Sequence, residues 1–200
     1  MEAPEIPERY SITQQFLHWV TVVLMLIALP LAWIAYCIGI ALAPYMMSEM
    51  NRPPSAGARL QNALFTAHKT AGIVLFLVVV ARLVIKGRRS SVANRGAESV
   101  AANVTHGSLY ATLIVMACSG YTFSASSGHP VALFGLIDIP PLVPESQNLA
   151  GTALKVHLTC QWLLYGLLLI HLGGIGYHVF LRRDGRLGRM LPRQNRAAAR

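Results

Sequence analysis

Residues 156–181, VHLTCQWLLYGLLLIHLGGIGYHVFL, decide the fold because they include no Asp, Glu, Lys or Arg. A helix needs about 20 mostly apolar residues to cross a bilayer, so this stretch predicts a membrane span. Residues 10–48 and 99–137 are similar charge-free stretches. The chain is 54% hydrophobic and 12% charged, whereas ordinary globular domains carry roughly 25% charged residues. The composition predicts an integral membrane protein and excludes a soluble enzyme, a disordered chain and a disulfide-stapled secreted domain.

Apolar runs and turn residues divide the chain into four predicted spans, at about residues 16–40, 64–85, 104–123 and 155–181. Each can cross about 30 Å of hydrocarbon at about 1.5 Å per residue. The segment between the last two spans is rich in proline and carries His129. We predict a folded loop or a short surface helix there, with no fifth span. The first span is too long for a signal-peptide core and is predicted to be retained.

The basic residues are distributed unevenly over the two sides of these spans. Thirteen Lys and Arg fall on the side of both termini, and four fall on the other, at Arg52, Arg59, Lys69 and Lys155. The positive-inside rule then places both termini in the cytoplasm. We predict an all-α transmembrane four-helix bundle over residues 1–181 and a basic cytoplasmic tail over residues 182–200. The net charge of +9 is attributed to orientation and anionic lipid, in preference to a tail that binds nucleic acid.

Histidines at membrane depth carry the chemistry of this sequence, because an ionisable side chain within a span is costly and marks a functional site. His157 and His171 are fourteen residues apart. At about 100° per residue they share one helix face, and they lie about 21 Å apart along it. That distance is too large for one metal ion and suits two stacked cofactors.

The orientation of the spans pairs these histidines with two others. His18 lies near the inner surface with His171, whereas His68, in the first two turns of the second span, lies near the outer surface with His157. Neutral imidazole is a good axial ligand for haem iron, so two stacked imidazole pairs predict two transmembrane b-type haems. The alternative is that each histidine is a hydrogen-bonded packing residue, as is usual for a single buried histidine.

Two further residues are candidates for cofactor contact. Arg82 follows His68 by fourteen residues, so it lies on nearly the same face at the inner end, where it could clamp a haem propionate. The alternative is that Arg82 snorkels to the headgroups. His178, seven residues after His171 and on the same helix face, could contact a propionate or a quinone headgroup, or have no role at the interface. His106, at the start of the third span, is a weaker candidate.

Four motifs in order along the chain carry a resemblance to a known family. They are SITQQFLHW at 11–19, AHKTAG at 67–72 with Arg82-Leu83, the spacing from His157 to His171, and YHVFLRRDGRLGRMLPR at 177–193. Together they resemble the prokaryotic cytochrome b561 proteins, which include small diheme superoxide oxidases. The resemblance covers nearly the whole chain.

This resemblance implies a multi-pass protein of the bacterial inner membrane with two b haems, whose axial ligands are His18, His68, His157 and His171. It implies an oxidoreductase that passes electrons from a periplasmic-side donor, such as superoxide, to ubiquinone. The alternative is a haem-bearing anchor subunit that relays electrons for a periplasmic dehydrogenase or hydrogenase. The loop at residues 44–62 looks longer than in the smallest members, which leaves the donor open. A metal transporter would need acidic residues within the predicted spans, which contain none.

Overall fold

The structure, a computed structural model, describes residues 10–45, 54–87 and 96–191. These residues form four long helices, α1 (Ile12–Leu42), α2 (Ala56–Gly87), α3 (Ala97–Ser126) and α4 (Gln147–Gly176). All four are long and apolar enough to cross a membrane. This result confirms the predicted transmembrane four-helix bundle.

Polar caps start α1 and α4 earlier than the apolar runs from which these helices were predicted. Ser11 accepts a hydrogen bond from the N–H of Gln14, whose side chain returns to the Ser11 backbone in a capping box. Ser146 caps α4 by accepting from the N–H of Leu149. The first turns of the helices are too polar for a hydropathy criterion, but a capped helix end extends through them.

The longer helices change the positions of two histidines. His68 lies twelve residues after Ala56, in the fourth turn of α2, so its predicted place in the first two turns is wrong. His157 lies ten residues after the start of α4 at Gln147. Each of these histidines is therefore preceded by about three turns of helix, which extend beyond it away from the bundle centre.

The bundle has two ends, which we name by what they carry. The start of α1 meets the end of α4, where His18 contacts His171; this is the tail end, because the C-terminal segment follows α4 there. The early parts of α2 and α4 meet where His68 contacts His157; this is the hairpin end, because a β-hairpin lies there.

The four helices form two tightly packed halves. α1 packs along α2 and α3 packs along α4, and contact between the halves is much sparser. The halves meet in an apolar cluster that we call the midplane cluster, made of Val79, Leu113, Met116, Cys160 and Leu164. Leu164 is seven residues from His157 and seven from His171, so the cluster lies midway between the two histidine levels.

The proline-rich segment between α3 and α4 is a folded loop, as predicted, but it contains a β-hairpin and not a surface helix. Strand β1 (Val131–Leu133) pairs with the antiparallel strand β2 (Ile137–Ile139). The hydroxyl of Tyr121 on α3 fastens the return segment, because it donates to the carbonyl of Pro140 at 2.8 Å and accepts from the N–H of Leu142 at 2.9 Å.

The chain beyond α4 folds back onto the tail end. A π-helical segment, Tyr177–Arg182, is followed by a 3-10 turn, Arg186–Arg189. The indole N–H of Trp19 on α1 then donates to the carbonyl of Met190 at 2.9 Å. The predicted basic tail is therefore part of the fold as far as Leu191, and its remainder at residues 192–200 lies outside the described residues.

Candidate functional site

The structure brings the four membrane histidines together in two pairs. The ring centroids of His68 and His157 are 6.3 Å apart, and those of His18 and His171 are 6.4 Å apart. A metal–imidazole nitrogen bond is about 2.0 Å long and a ring centroid lies about 1.2 Å beyond it, so two imidazoles on opposite sides of one metal have centroids about 6.4 Å apart. Both pairs have this spacing.

Backbone carbonyls hold the histidines at the hairpin end. Nδ1 of His68 lies 2.8 Å from the carbonyl oxygen of Ala28, and Nδ1 of His157 lies 2.8 Å from that of Met116. Because a carbonyl can only accept, each Nδ1 carries the ring proton and donates. Each Nε2 then keeps its lone pair, the form in which imidazole binds a metal, and the hydrogen bond at Nδ1 orients the ring and raises its basicity.

Helix α3 is shaped to receive His157. A Cβ built on Gly120 would stand 2.9 Å from Cε1 of His157, so only glycine allows this approach. The hydroxyl of Ser119 donates to the same Met116 carbonyl at 3.1 Å. Sequence reasoning missed both residues, because a glycine within a membrane helix is usually attributed to helix packing.

Arg82 contacts a histidine at the tail end. Its Nη1 donates to Oγ1 of Thr21 at 3.0 Å, and its Nη2 lies 3.1 Å from Nδ1 of His18. A guanidinium can only donate, so in this arrangement Nδ1 of His18 accepts and the ring proton is on Nε2. Metal binding through Nε2 needs the opposite tautomer, with Arg82 turned to another acceptor. The half-buried guanidinium is thus engaged by two side chains of α1.

A third histidine and a second cation complete the surroundings of the tail-end pair. The ring centroid of His106 on α3 is 5.3 Å from that of His171. The guanidinium of Arg82 and the ammonium of Lys86 lie 5.2 and 5.6 Å from the ring centroid of Tyr110. Sequence analysis ranked His106 as a weaker candidate, because its neighbours come from other helices.

His178 is engaged by the C-terminal segment. Its Nδ1 lies 2.8 Å from Oδ2 of Asp184. The expectation that His178 shares a face with His171 used the α-helical angle per residue, but Tyr177–Arg182 is π-helical and has i→i+5 bonds. That angle does not apply beyond Gly176.

Open space beside the histidines fits a flat cofactor. A Cβ built on Gly72, one turn after His68, would meet no atom within 4 Å. Within the described residues no group of three or more His, Cys, Asp and Glu could hold a metal ion. Each imidazole pair would offer two nitrogen ligands to the iron of a haem, whose porphyrin would supply the other ligands.

Paired imidazoles within a four-helix membrane bundle fit a b-type membrane cytochrome. The profile of a family described as prokaryotic cytochrome b561 matches residues 9–193. The protein therefore belongs to the prokaryotic cytochrome b561 family, whose members are b-type membrane cytochromes involved in electron transfer. Its four spanning helices and this membership place it in the bacterial inner membrane as a multi-pass protein.

Two relatives from Escherichia coli (strain K12) are similar over nearly the whole chain. Cytochrome b561 homolog 1 is 25% identical over 190 residues, which cover 93% of this chain and 98% of the relative. Cytochrome b561 homolog 2 is 25% identical over 195 residues, which cover 96% of this chain and 95% of the relative. The similarity therefore includes all four helices.

Proposed function

We propose that this protein is a diheme b-type oxidoreductase that moves electrons across the inner membrane between a periplasmic-side donor and ubiquinone. His68 and His157 hold one haem, and His18 and His171 hold the other. The observation that carries this proposal is the pair of equal ring separations, 6.3 and 6.4 Å, at two levels of one bundle. Haem supplies one-electron iron chemistry when bound; the chain supplies the axial ligands, their orientation and an apolar surround.

The charge distribution supports an orientation with both termini in the cytoplasm. The side that carries the termini has thirteen of the seventeen Lys and Arg, which is the asymmetry that the positive-inside rule describes. In this orientation the hairpin end faces the periplasm. His68 and His157 then form the outer site, and His18 and His171 form the inner site.

Arg82 is proposed to bind a propionate of the inner haem. When His18 binds iron through Nε2, its Nδ1 carries a proton and can no longer accept from the guanidinium. A propionate is an anionic acceptor that a guanidinium can bind with two parallel hydrogen bonds. His178, held by Asp184 at the same end, is proposed to contact a propionate or the quinone headgroup.

Superoxide is the proposed donor at the outer site. Arg59 and Lys155 are exposed at the hairpin end, and Lys69 lies there with its ammonium donating to the carbonyl of Pro130 at 3.0 Å. Clustered positive charge raises the encounter rate of a small anion. Arg52, the fourth basic residue predicted on this side of the membrane, lies outside the described residues.

A second candidate is an anchor subunit that relays electrons for a periplasmic redox protein. One observation favours it: His129, Asp138 and Glu145 line an open groove of about 430 Å³ at the hairpin end. Two carboxylates beside a groove suit a basic protein surface better than an anion.

The haem content of the purified full-length protein tests the proposal. We expect two b haems per chain, with one lost in His68→Ala and in His157→Ala, and the other lost in His18→Ala and in His171→Ala. His129→Ala, in the loop, is the matched control and should retain both haems. A single haem in the unmodified protein, or loss of the same haem in His18→Ala and His157→Ala, would contradict the pairing.

A further inference from the structure

The hairpin between α3 and α4 has exposed apolar side chains at and beside its turn. Phe134, Leu136 and Ile137 are 67%, 86% and 62% exposed. The three lie within four consecutive residues and form one exposed apolar group. Exposed apolar groups of this kind mark surfaces that something covers.

Phe134 occupies a backbone conformation that suits other residues better. Its φ is 55° and that of Gly135 is 69°, and the N–H of Leu136 donates to the carbonyl of Leu133 at 3.0 Å. Positive φ at both central residues is the pattern of a type I′ turn, whose first central position favours Asn, Asp or Gly, here within a three-residue loop because Leu133 pairs with Ile137. A bulky side chain at positive φ is strained, and such strain is typical of positions with a function.

Helix α2 holds this turn at a fixed height. Oγ1 of Thr70 accepts from the N–H of Phe134 at 2.9 Å and donates to the carbonyl of Ala132 at 3.4 Å. A Cβ built on Gly135 would lie 3.7 Å from Cγ2 of Thr66. The hairpin is therefore fastened to the side of α2, and α2 continues past it to Ala56.

That height coincides with a membrane surface. Lys86 is exposed in the last turn of α2 and marks the headgroup layer at the tail end. From Lys86 to Thr66 is twenty residues, or about 30 Å of helix, which is the thickness of the hydrocarbon core. The turn beside Thr66 thus lies at the opposite boundary between acyl chains and headgroups.

We propose that Phe134, Leu136 and Ile137 insert into the lipid leaflet at the hairpin end of the bundle. Aromatic and apolar side chains are favoured at this boundary, and the contact continues the lipid-facing surface of the helices. Asp138 follows Ile137 in β2, points to the opposite face of the strand and is exposed. The hairpin then has one face in lipid and the other in water.

Lipid contact at the turn has a structural consequence for the neighbouring histidine pair. Thr70, which holds the turn, is two residues from His68. A hairpin seated in the leaflet is fixed from two sides, by α2 and by lipid, and it stays in place beside the hairpin-end pair.

Spin labelling of the full chain in vesicles of phosphatidylethanolamine and phosphatidylglycerol tests the proposal. The native Cys37, Cys118 and Cys160 are replaced by alanine, and single labels are placed through Phe134→Cys, Leu136→Cys and Asp138→Cys. Leu77→Cys, on an exposed position of α2 within the apolar run, is the lipid reference. Collisions with oxygen report lipid, and collisions with a water-soluble nickel chelate report water.

We expect oxygen to dominate at positions 134 and 136, as at position 77, and the nickel chelate to dominate at position 138. Nickel access at 134 and 136 equal to that at 138 would place the turn in water and overturn the proposal. Low access to both reagents would mean that a second copy or a partner protein covers the turn, which overturns it equally. Leu136→Cys has an ordinary backbone conformation and carries the test alone if Phe134→Cys does not fold.

Discussion

Gly120 lies against the imidazole of His157 so closely that a Cβ would stand 2.9 Å from Cε1 and 3.0 Å from Nδ1. Helix α3 thereby receives a side chain from α4 directly onto its backbone, at the carbonyl of Met116. The orientation of His157 therefore depends on Gly120, which has a hydrogen atom where every other residue has a Cβ.

Gly120→Ala should therefore displace His157 and lower the haem content of the hairpin-end site, while the tail-end site is kept. On helix propensity alone the change would stabilise α3 by about 1 kcal/mol, so haem loss without unfolding is the distinctive outcome. Haem per chain and the reduced-minus-oxidised spectrum measure it. Gly107→Ala on the same helix meets no atom within 4 Å and should keep both haems. Full haem content in Gly120→Ala would show that this contact does not position the ligand.

Ser119 is expected to tune the same site through the carbonyl that it shares with His157. Removing the hydroxyl in Ser119→Ala leaves the Met116 carbonyl to His157, which strengthens that hydrogen bond and makes the imidazole a more basic ligand. A more basic ligand favours ferric iron, so the midpoint potential of the hairpin-end haem should fall while the other stays. Spectroelectrochemical titration measures both potentials. Ser119→Thr, which retains a hydroxyl, is the matched control, and an equal shift in both variants would contradict the argument.

Arg82→Leu should weaken haem retention at the tail end without removing a ligand. A hydrogen bond to a charged group contributes about 1.5–3 kcal/mol, so haem affinity there should fall by about 10- to 150-fold. Transfer of haem to apomyoglobin measures the loss. Thr21→Val removes the other partner of Arg82 and should have a smaller effect, because the guanidinium remains. Unchanged haem release in Arg82→Leu would remove Arg82 from the proposed site.

If superoxide is the donor, its reaction should slow as salt rises, because salt screens exposed charges beyond roughly 10 Å at 0.1 M. Lys155→Glu should lower the rate constant for reduction without altering the haem spectrum, since Lys155 is exposed and is not a ligand. Stopped-flow reduction at several ionic strengths measures both effects. A rate that does not respond to salt, or reduction that needs an added protein donor, would favour the anchor-subunit alternative.

A topology reporter fused after Arg200 should indicate a cytoplasmic location, as the charge distribution predicts. The same reporter inserted after Gly128, in the loop at the hairpin end, should indicate a periplasmic location. Periplasmic activity of the C-terminal fusion would reverse the proposed orientation and exchange the inner and outer sites.

The bundle itself could be predicted from the sequence, because a span depends on the absence of charge over about 20 residues. The starts of α2 and α4 could not, because the turns that extend them are polar and depend on single capping side chains such as Ser146. The hairpin was missed as well, since its turn uses Phe134 where sequence rules look for Asn or Asp.

The two histidine pairs follow from depth and helical angle, and the structure places those side chains together. Their immediate partners do not follow from the sequence. Every helical residue has a backbone carbonyl, so the sequence does not indicate that those of Ala28 and Met116 accept the hydrogen bonds from His68 and His157. The contact of Arg82 with His18 joins two helices, and a sequence shows only the position of Arg82 within its own.

The midplane cluster separates the two histidine levels with apolar side chains such as Val79 and Leu164, which cannot carry a proton. In the proposed orientation an electron would pass this layer alone, so charge would cross the dielectric without compensation. His157 and His171 span about 21 Å of a core about 30 Å thick, so each electron crosses about two thirds of the field, or about 1.6 kcal/mol per 100 mV. An interior-negative potential opposes that inward movement. The turnover of this protein would therefore fall as the cell energises its membrane.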